Sequence, residues 1–317
     1  MGRPVGAPGA AGPLRKRRKQ AQLEGAPERP PRKAPHPKNT LNELPGEEWL
    51  YFTKSVLQTS YPSELRHDLR KAHGANKPPR LMRQLIEFFT KRDGLVLDPF
   101  AGVGGTLLGA ATCDPPRAAV GVELNPRWVE VYRKVSRELE DGGLEGITKQ
   151  EMLEGDCLEV MRKMPAGRFD FIATDPPYNI QLEVTMSQAR EGKYEEWTNR
   201  RTDYNMRSDD ARDVANRVSY EEYLASMEDV FGQCARVLKP RGYMALIVRN
   251  AYQDGRYMFT HADLARRADA AGLTPKGEIV WWQTGTRLRP YGYPRSYVPN
   301  IAHQYIVIMR REAERAS

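Results

Sequence analysis

Alternating strand-like and helix-like segments predict an α/β fold built on a mostly parallel sheet. Three observations carry the prediction. First, runs of strand length recur at 95–100, 118–123, 151–154, 169–174, 243–249, 278–283 and 304–310, and helix-patterned stretches at 106–111, 126–140, 219–238 and 261–271 alternate with them. Strands that alternate with helices pair in parallel, with helices covering both faces of the sheet. Second, a Gly-rich turn within Leu97-Asp98-Pro99-Phe100-Ala101-Gly102-Val103-Gly104-Gly105-Thr106 carries the first strand into a helix. Third, the apolar run 169–174 stops at Asp175-Pro176-Pro177-Tyr178, where two prolines cannot continue a ladder. The last run, Gln304–Met309, follows 278–283 closely and is read as its antiparallel hairpin partner.

The elements follow from the N-terminus onward. Residues 1–40 are rich in Pro, Gly, Ala and Arg and nearly free of large apolar side chains. Such a segment cannot bury enough surface to offset its ordering entropy, so it reads as a disordered basic tail. It holds ten Lys/Arg against two acids, which accounts for the chain's whole formal charge of +8. The rest of the chain is balanced, so a nucleic-acid surface there must be a local patch and not a global field. Folded structure is expected from about Leu41, as one domain over 41–312 with a short tail at 313–317. Lys77-Pro78-Pro79 opens a helix that runs to about Thr90 and carries Leu81, Leu85, Ile86 and Phe89 on one face.

Two segments interrupt the alternation. Residues 181–218 interleave Arg200, Arg201 and Arg207 with Tyr194, Trp197 and Tyr204. Residues 284–302 interleave Arg287, Arg289 and Arg295 with Tyr291, Tyr293 and Tyr297. Both follow a strand or a strand-end motif, and ligands of open α/β sheets bind beyond the carboxyl ends of the strands. Arginines and aromatic rings placed there suit phosphates and bases; the plainer reading of each is a solubilising insertion.

Composition removes several function classes. No apolar run reaches membrane-spanning length, and the basic N-terminus lacks the apolar stretch of a secretory signal. Cys113, Cys157 and Cys234 form no CxxC pair and the five histidines are scattered, so neither a disulfide framework nor a metal centre is expected. A cytoplasmic protein is expected.

The chemistry sits at strand ends. Gly102 and Gly104 allow close backbone approach to a ligand, yet their spacing fits neither the dinucleotide fingerprint nor a P-loop. Glu123 ends the next strand, where a carboxylate accepts ribose hydroxyls. Asp156 follows the third strand, within reach of an adenine amino group. The Asp175-Pro176-Pro177-Tyr178 turn lacks proline N–H donors and presents carbonyls, a carboxylate and a ring, which suits a flat, amino-bearing base.

These motifs resemble those of the AdoMet-dependent DNA amino-methyltransferases, the N6-adenine and N4-cytosine DNA methylases. Asp98-Pro99-Phe100-Ala101-Gly102-Val103-Gly104 resembles their cofactor loop and Asp175-Pro176-Pro177-Tyr178 their catalytic tetrapeptide. Lys77-Pro78 resembles the start of their cofactor-side helix, and Leu238-Lys239-Pro240-Arg241-Gly242 the turn before their fifth strand. The resemblance covers roughly residues 70–310. It implies a Rossmann-like class I fold with a seven-stranded, mostly parallel sheet and a C-terminal antiparallel hairpin. It further implies S-adenosyl-L-methionine held by Lys77, Asp98, Pro99, Phe100, Gly102, Gly104, Glu123 and Asp156, and catalysis by Asp175, Pro176, Pro177 and Tyr178, with Tyr178 stacked on the target ring.

The expected substrate is DNA, adenine N6 ahead of cytosine N4, with nucleoid association and, as partners, a restriction endonuclease, a specificity partner or a second copy. No separate target-recognition domain is expected after residue 312, so target reading is assigned to the two basic loops or to a partner. RNA is the runner-up, at guanine N2 or adenine N6, although the N-terminal segment is short for an RNA-binding domain. A silent nucleic-acid-binding subunit is the non-enzymatic alternative.

Overall fold

The computed structural model describes residues 33–178, 210, 212–253 and 255–313. Its main sheet is built on β2 (Leu95–Asp98), β3 (Ala118–Glu123), β4 (Gln150–Glu154), β5 (Phe169–Thr174), β6 (Leu238–Val248), β9 (Leu273–Trp282) and β10 (His303–Arg311). Those are the seven expected strands, within a few residues at most ends. An eighth, β1 (Val56–Gln58), joins the edge in parallel with β9, so the sheet order is β1-β9-β10-β6-β5-β2-β3-β4. A separate hairpin, β7 (Ala251–Gln253) with β8 (Arg256–Met258), was not expected either.

β10 lies between β6 and β9 and runs antiparallel to both, which is the reversed C-terminal hairpin. β2 pairs in parallel with β3 on one side and β5 on the other. From β2 the chain winds outward to β3 and β4, then returns to lay β5 on the opposite side. The order therefore reverses between β2 and β5, and the crevice at such a reversal is where open α/β sheets bind ligands.

Side chains alternate across the sheet and feed two cores. Val96, Phe171, Ala173, Ala245, Ile247 and Ile306 pack under α3 (Pro79–Phe89), α4 (Gly105–Ala111) and α5 (Pro126–Asp141). Leu97, Val120, Ile172, Met244, Leu246 and Val307 face α6 (Cys157–Arg162), α7 (Tyr220–Val237) and α8 (Thr260–Ala270). Leu81, Leu85, Ile86 and Phe89 of α3 are all buried, as their spacing predicts. Fully burying a side chain of this size stabilises by roughly 1.5–3 kcal/mol.

Two local departures have clear causes. Leu238–Gly242 is not a turn before β6 but its first half, with a register shift opposite Phe169 and Phe171 and Arg241 at φ +66°. The bulge absorbs a proline inside a strand, as bulges do. At the N-terminal end of the described residues, packing against the domain starts slightly before Leu41. The Asn39 side chain donates to Asn42 Oδ1 (2.8 Å), and Asn42 is buried and donates to the Phe88 carbonyl (2.6 Å). The region before α3 adds two helices, α1 (Gly46–Phe52) and α2 (His67–Arg70).

Candidate active site

The carboxyl ends of β2, β3 and β5 open on one cleft of about 1160 Å³, bounded by described residues that include Phe100, Gly102, Glu123, Asp156, Asp175 and Tyr178. Asp98, at the end of β2, is buried beneath it. Its Oδ1 accepts from Thr174 Oγ1 (2.6 Å) and the Phe100 N–H (3.1 Å), and its Oδ2 from Thr106 Oγ1 (2.5 Å). Burial pushes its carboxyl up to about 6, against the pull of those hydroxyls. Asp98 does not line the cleft. It is a clamp that ties the ends of β2 and β5 to the start of α4, so it acts on the site by shaping the turn and not by facing a ligand.

The two glycines of the turn divide their work. Gly102, at φ +53°, lines the cleft, and a Cβ there would sit 3.1 Å from His73 Nε2. Gly104, at φ +80°, does not line it; its missing side chain leaves room for the Tyr132 ring, 2.1 Å from where a Cβ would lie. Gly104 is thus required for packing and turn conformation, not for ligand approach.

Glu123 secures the far side of the turn. Its Oε2 accepts the Gly102 N–H and its Oε1 the Asn125 N–H, both at 2.8 Å. Each oxygen keeps a lone pair for a ligand hydroxyl. Burial pushes its carboxyl up to about 7; the two N–H bonds oppose that, while Asp213 and Asp98 add to it. Asp156 lies on the cleft wall and caps α6, accepting the Glu159 N–H at 3.0 Å.

At the end of β5, Asp175 is almost sealed. Its Oδ1 accepts from Tyr178 Oη at 2.7 Å, and its Oδ2 is ion-paired with Lys77 Nζ. Burial raises the Asp175 carboxyl above its ordinary range, with Lys77 and Tyr178 acting in the opposite sense. Lys77 therefore lies at the tetrapeptide and not only on the cofactor side, where the sequence had placed it. Tyr178 lines the cleft, packs partly against the second core and donates its hydroxyl to Asp175. Burial drives its phenol well above the ordinary value.

The mouth of the cleft is basic. Arg287 and Arg289 line it and Arg295 does not. The Asn300 side chain holds the Arg289 backbone from both sides, at 2.7 and 2.8 Å, and Ser60 bonds the Thr284 carbonyl at 2.9 Å. Leu288, Tyr291, Tyr293 and Tyr297 in the same loop are exposed. Arg200, Arg201 and Arg207 lie outside the described residues.

Sequence reasoning missed three residues of the cleft. Arg249, just past β6, donates to the Ile301 carbonyl and joins the strand end to the basic loop. Trp128 lines the wall beside His73. His73 Nδ1 is buried with no hydrogen-bond partner among the described residues, and burial, with Lys77 nearby, lowers its imidazole to about 4. His73 stands four residues before Lys77, the only sequence signal that could have found it.

The sequence profile of the DNA methylase family matches residues 15–134 and 169–316. The chain belongs to that family. Among curated proteins, this family member aligns with a tRNA (guanine(10)-N2)-dimethyltransferase of Pyrococcus abyssi, at 29% identity over 35% of this chain and 31% of the relative. It also aligns with the type II methyltransferase M.HindIII of Haemophilus influenzae, at 49% identity over 17% of this chain and 16% of the relative. The chain spans well under half the length of these relatives. Among solved structures, TrmN from Thermus thermophilus aligns at 15% identity over 77% of this chain and 53% of its own, with a TM-score of 0.45. Another Thermus thermophilus protein, solved with S-adenosyl-L-methionine, aligns at 20% identity over 50% of this chain and 51% of its own, with a TM-score of 0.32.

The family takes its methyl group from S-adenosyl-L-methionine, and the donor set of the cleft fits that molecule. Glu123 keeps lone pairs that ribose hydroxyls could use, Asp156 has an acceptor that an amino group could use, and Phe100 and Cys157 add wall against which a purine could lie. No described helix is long and apolar enough to cross a membrane.

Proposed function

We propose that the protein transfers a methyl group from S-adenosyl-L-methionine to an exocyclic amino group of a nucleic-acid base, with adenine N6 in DNA as the favoured target. The observation that carries this reading is the meeting of Glu123 and the Asp175-Pro176-Pro177-Tyr178 turn on one cleft at the sheet's reversal point. The cofactor, when bound, supplies a methyl group activated by its sulfonium. Glu123 and Asp156 hold hydroxyl and amino hydrogens at one end of the cleft. At the other end, Asp175 and the Pro176 carbonyl each accept one hydrogen of the target amine. An aromatic amine is a poor nucleophile because its lone pair is delocalised into the ring. Two acceptors draw it toward a pyramidal geometry and free that pair. The N–C bond forms as the methyl–sulfur bond breaks, which leaves a neutral thioether. The resulting cationic amine then gives one proton through Asp175 to solvent, and because that cation is acidic Asp175 need not be a strong base. Positioning and fixed charge do the work. A base in a duplex must leave its stack to enter the cleft. Arg249, Arg287, Arg289 and Tyr291 suit the phosphates and the ring of such a strand.

The second reading is an RNA base. It is favoured by the 111-residue alignment with the tRNA guanine-N2 enzyme, longer than the 53 residues aligned with M.HindIII. Guanine N2 presents the same kind of amine to the same acceptors. Tritiated methyl transfer to unmethylated DNA and to unmodified tRNA, followed by nucleoside mass spectrometry, separates the two. The DNA reading expects N6-methyladenine from DNA and background from tRNA; the reverse pattern overturns it.

A further inference from the structure

Lys77 stands two residues before α3, next to its N-cap Pro78, and its backbone is wedged there: a Cβ on Gly105 would sit 2.7 Å from the Lys77 carbonyl oxygen. The side chain then runs inward to Asp175. Only 9% of the lysine side chain and 14% of the aspartate remain exposed. The other groups that face Asp175 are not cations. They are Tyr178 from its own turn, Asp98 from the end of β2 and Tyr223 from α7, and Tyr223 Oη is buried with no hydrogen-bond partner among the described residues. Arg249 acts on Tyr178, and the imidazole near Lys77 is that of His73, which burial and Lys77 keep neutral. Lys77 is thus the sole cation that pairs with this carboxylate among the described residues.

We propose that Lys77 is a positioning residue for Asp175: its ammonium holds the buried carboxylate in the ionised form and pins Oδ2, leaving Oδ1, already oriented by Tyr178, as the oxygen presented to the target amine. The proposal rests on the reading of Asp175 as the amine acceptor. A protonated Asp175 would offer a donor where an acceptor is needed. Removing the partner of a buried charge leaves that charge uncompensated, and the group neutralises by taking up a proton instead. The ion pair is then part of the reaction's preparation and not merely of the fold.

The test reads Asp175 directly and needs no substrate. The full chain is labelled with aspartate carrying carbon-13 at Cγ, the Asp175 resonance is assigned by its loss in D175N, and its titration is followed in wild type, K77M and K77R. The wild-type midpoint is expected below pH 7. In K77M it is expected to rise by about one to three pH units, the usual effect of losing an opposite charge at contact distance. K77R, which keeps the charge, should stay close to wild type. If K77M does not fold, the wild-type midpoint and K77R still decide. A wild-type midpoint above 7, an unmoved midpoint in K77M, or a K77R that behaves as K77M overturns the proposal. So does a K77M that loses cofactor affinity while its Asp175 titration is unchanged, since that returns Lys77 to the cofactor side. Absence of methyl transfer by the wild type would fail the functional reading while leaving this titration valid.

Discussion

The acid at the end of β3 gives a quantitative prediction for cofactor binding. Glu123 is held up to about 7 by burial, and ribose hydroxyls donate more strongly to a carboxylate than to a carboxylic acid. If the ionised form binds, affinity follows the ionised fraction. That fraction is about one in eleven at pH 6 and about nine in ten at pH 8, a difference of about tenfold or roughly 1.4 kcal/mol. The sign follows from the direction of the shift. A raised carboxyl pKa means the free protein holds a proton below pH 7 that binding must release, so affinity climbs with pH and levels off above about 7.5. Calorimetric titration of S-adenosyl-L-methionine from pH 5.5 to 8.5 measures it. The cofactor's own amino group titrates near the upper end of this range, so the comparison is with E123Q, which cannot ionise. In E123Q the rise should vanish, and affinity at pH 8 should fall by about 1.5–3 kcal/mol for the lost charge-assisted bonds. Parallel profiles in the two proteins would refute the assignment of Glu123 to the ribose.

Other consequences follow from the same geometry. D98A leaves Thr106, Thr174 and the Phe100 N–H without their buried acceptor; the cost should be roughly 3 kcal/mol and should appear as a melting temperature lower by about 5–10 °C. D175N should abolish methyl transfer and leave cofactor affinity within about twofold, as calorimetry and a tritium assay on one preparation would report. R287A with R289A should weaken nucleic-acid binding and flatten its salt dependence without changing cofactor affinity, as fluorescence anisotropy across salt concentrations measures. Deleting residues 1–32 should leave the melting temperature unchanged and lower non-specific DNA affinity. Removing 33–44 as well should lower the melting temperature, because Asn42 and Leu44 are buried.

The parts legible in the sequence are those set by local pattern. Central strands are continuous apolar runs, so β2, β3, β5 and β6 were found, and the apolar spacing of α3 gave its buried face correctly. β1 escaped because three residues, two of them exposed, carry no pattern of their own; they are a strand only because β9 offers them an edge. α6 escaped because only Cys157 and Met161 of its residues are buried, too few to mark an apolar face. In the site, acids at strand ends were visible as acids, but their roles depend on partners distant in sequence. Asp98 is a clamp because Thr174, 76 residues away, donates to it. Lys77 meets Asp175 across 98 residues, a pairing no local spacing encodes. Gly104 reads in the sequence as a glycine for ligand approach, because the Tyr132 ring that requires it comes from a later helix and leaves no local signal.

The central claim is that Asp175 receives an exocyclic amine for methylation. Its most direct measurement is the position of the transferred methyl group on the base. The wild-type protein is incubated with isotope-labelled S-adenosyl-L-methionine and its nucleic-acid substrate, the product is digested to nucleosides, and the label is located by tandem mass spectrometry, with D175N in parallel. The account predicts label on an exocyclic nitrogen in the wild type and none above background in D175N. Label on a ring carbon or ring nitrogen, or an undiminished exocyclic product from D175N, would contradict it.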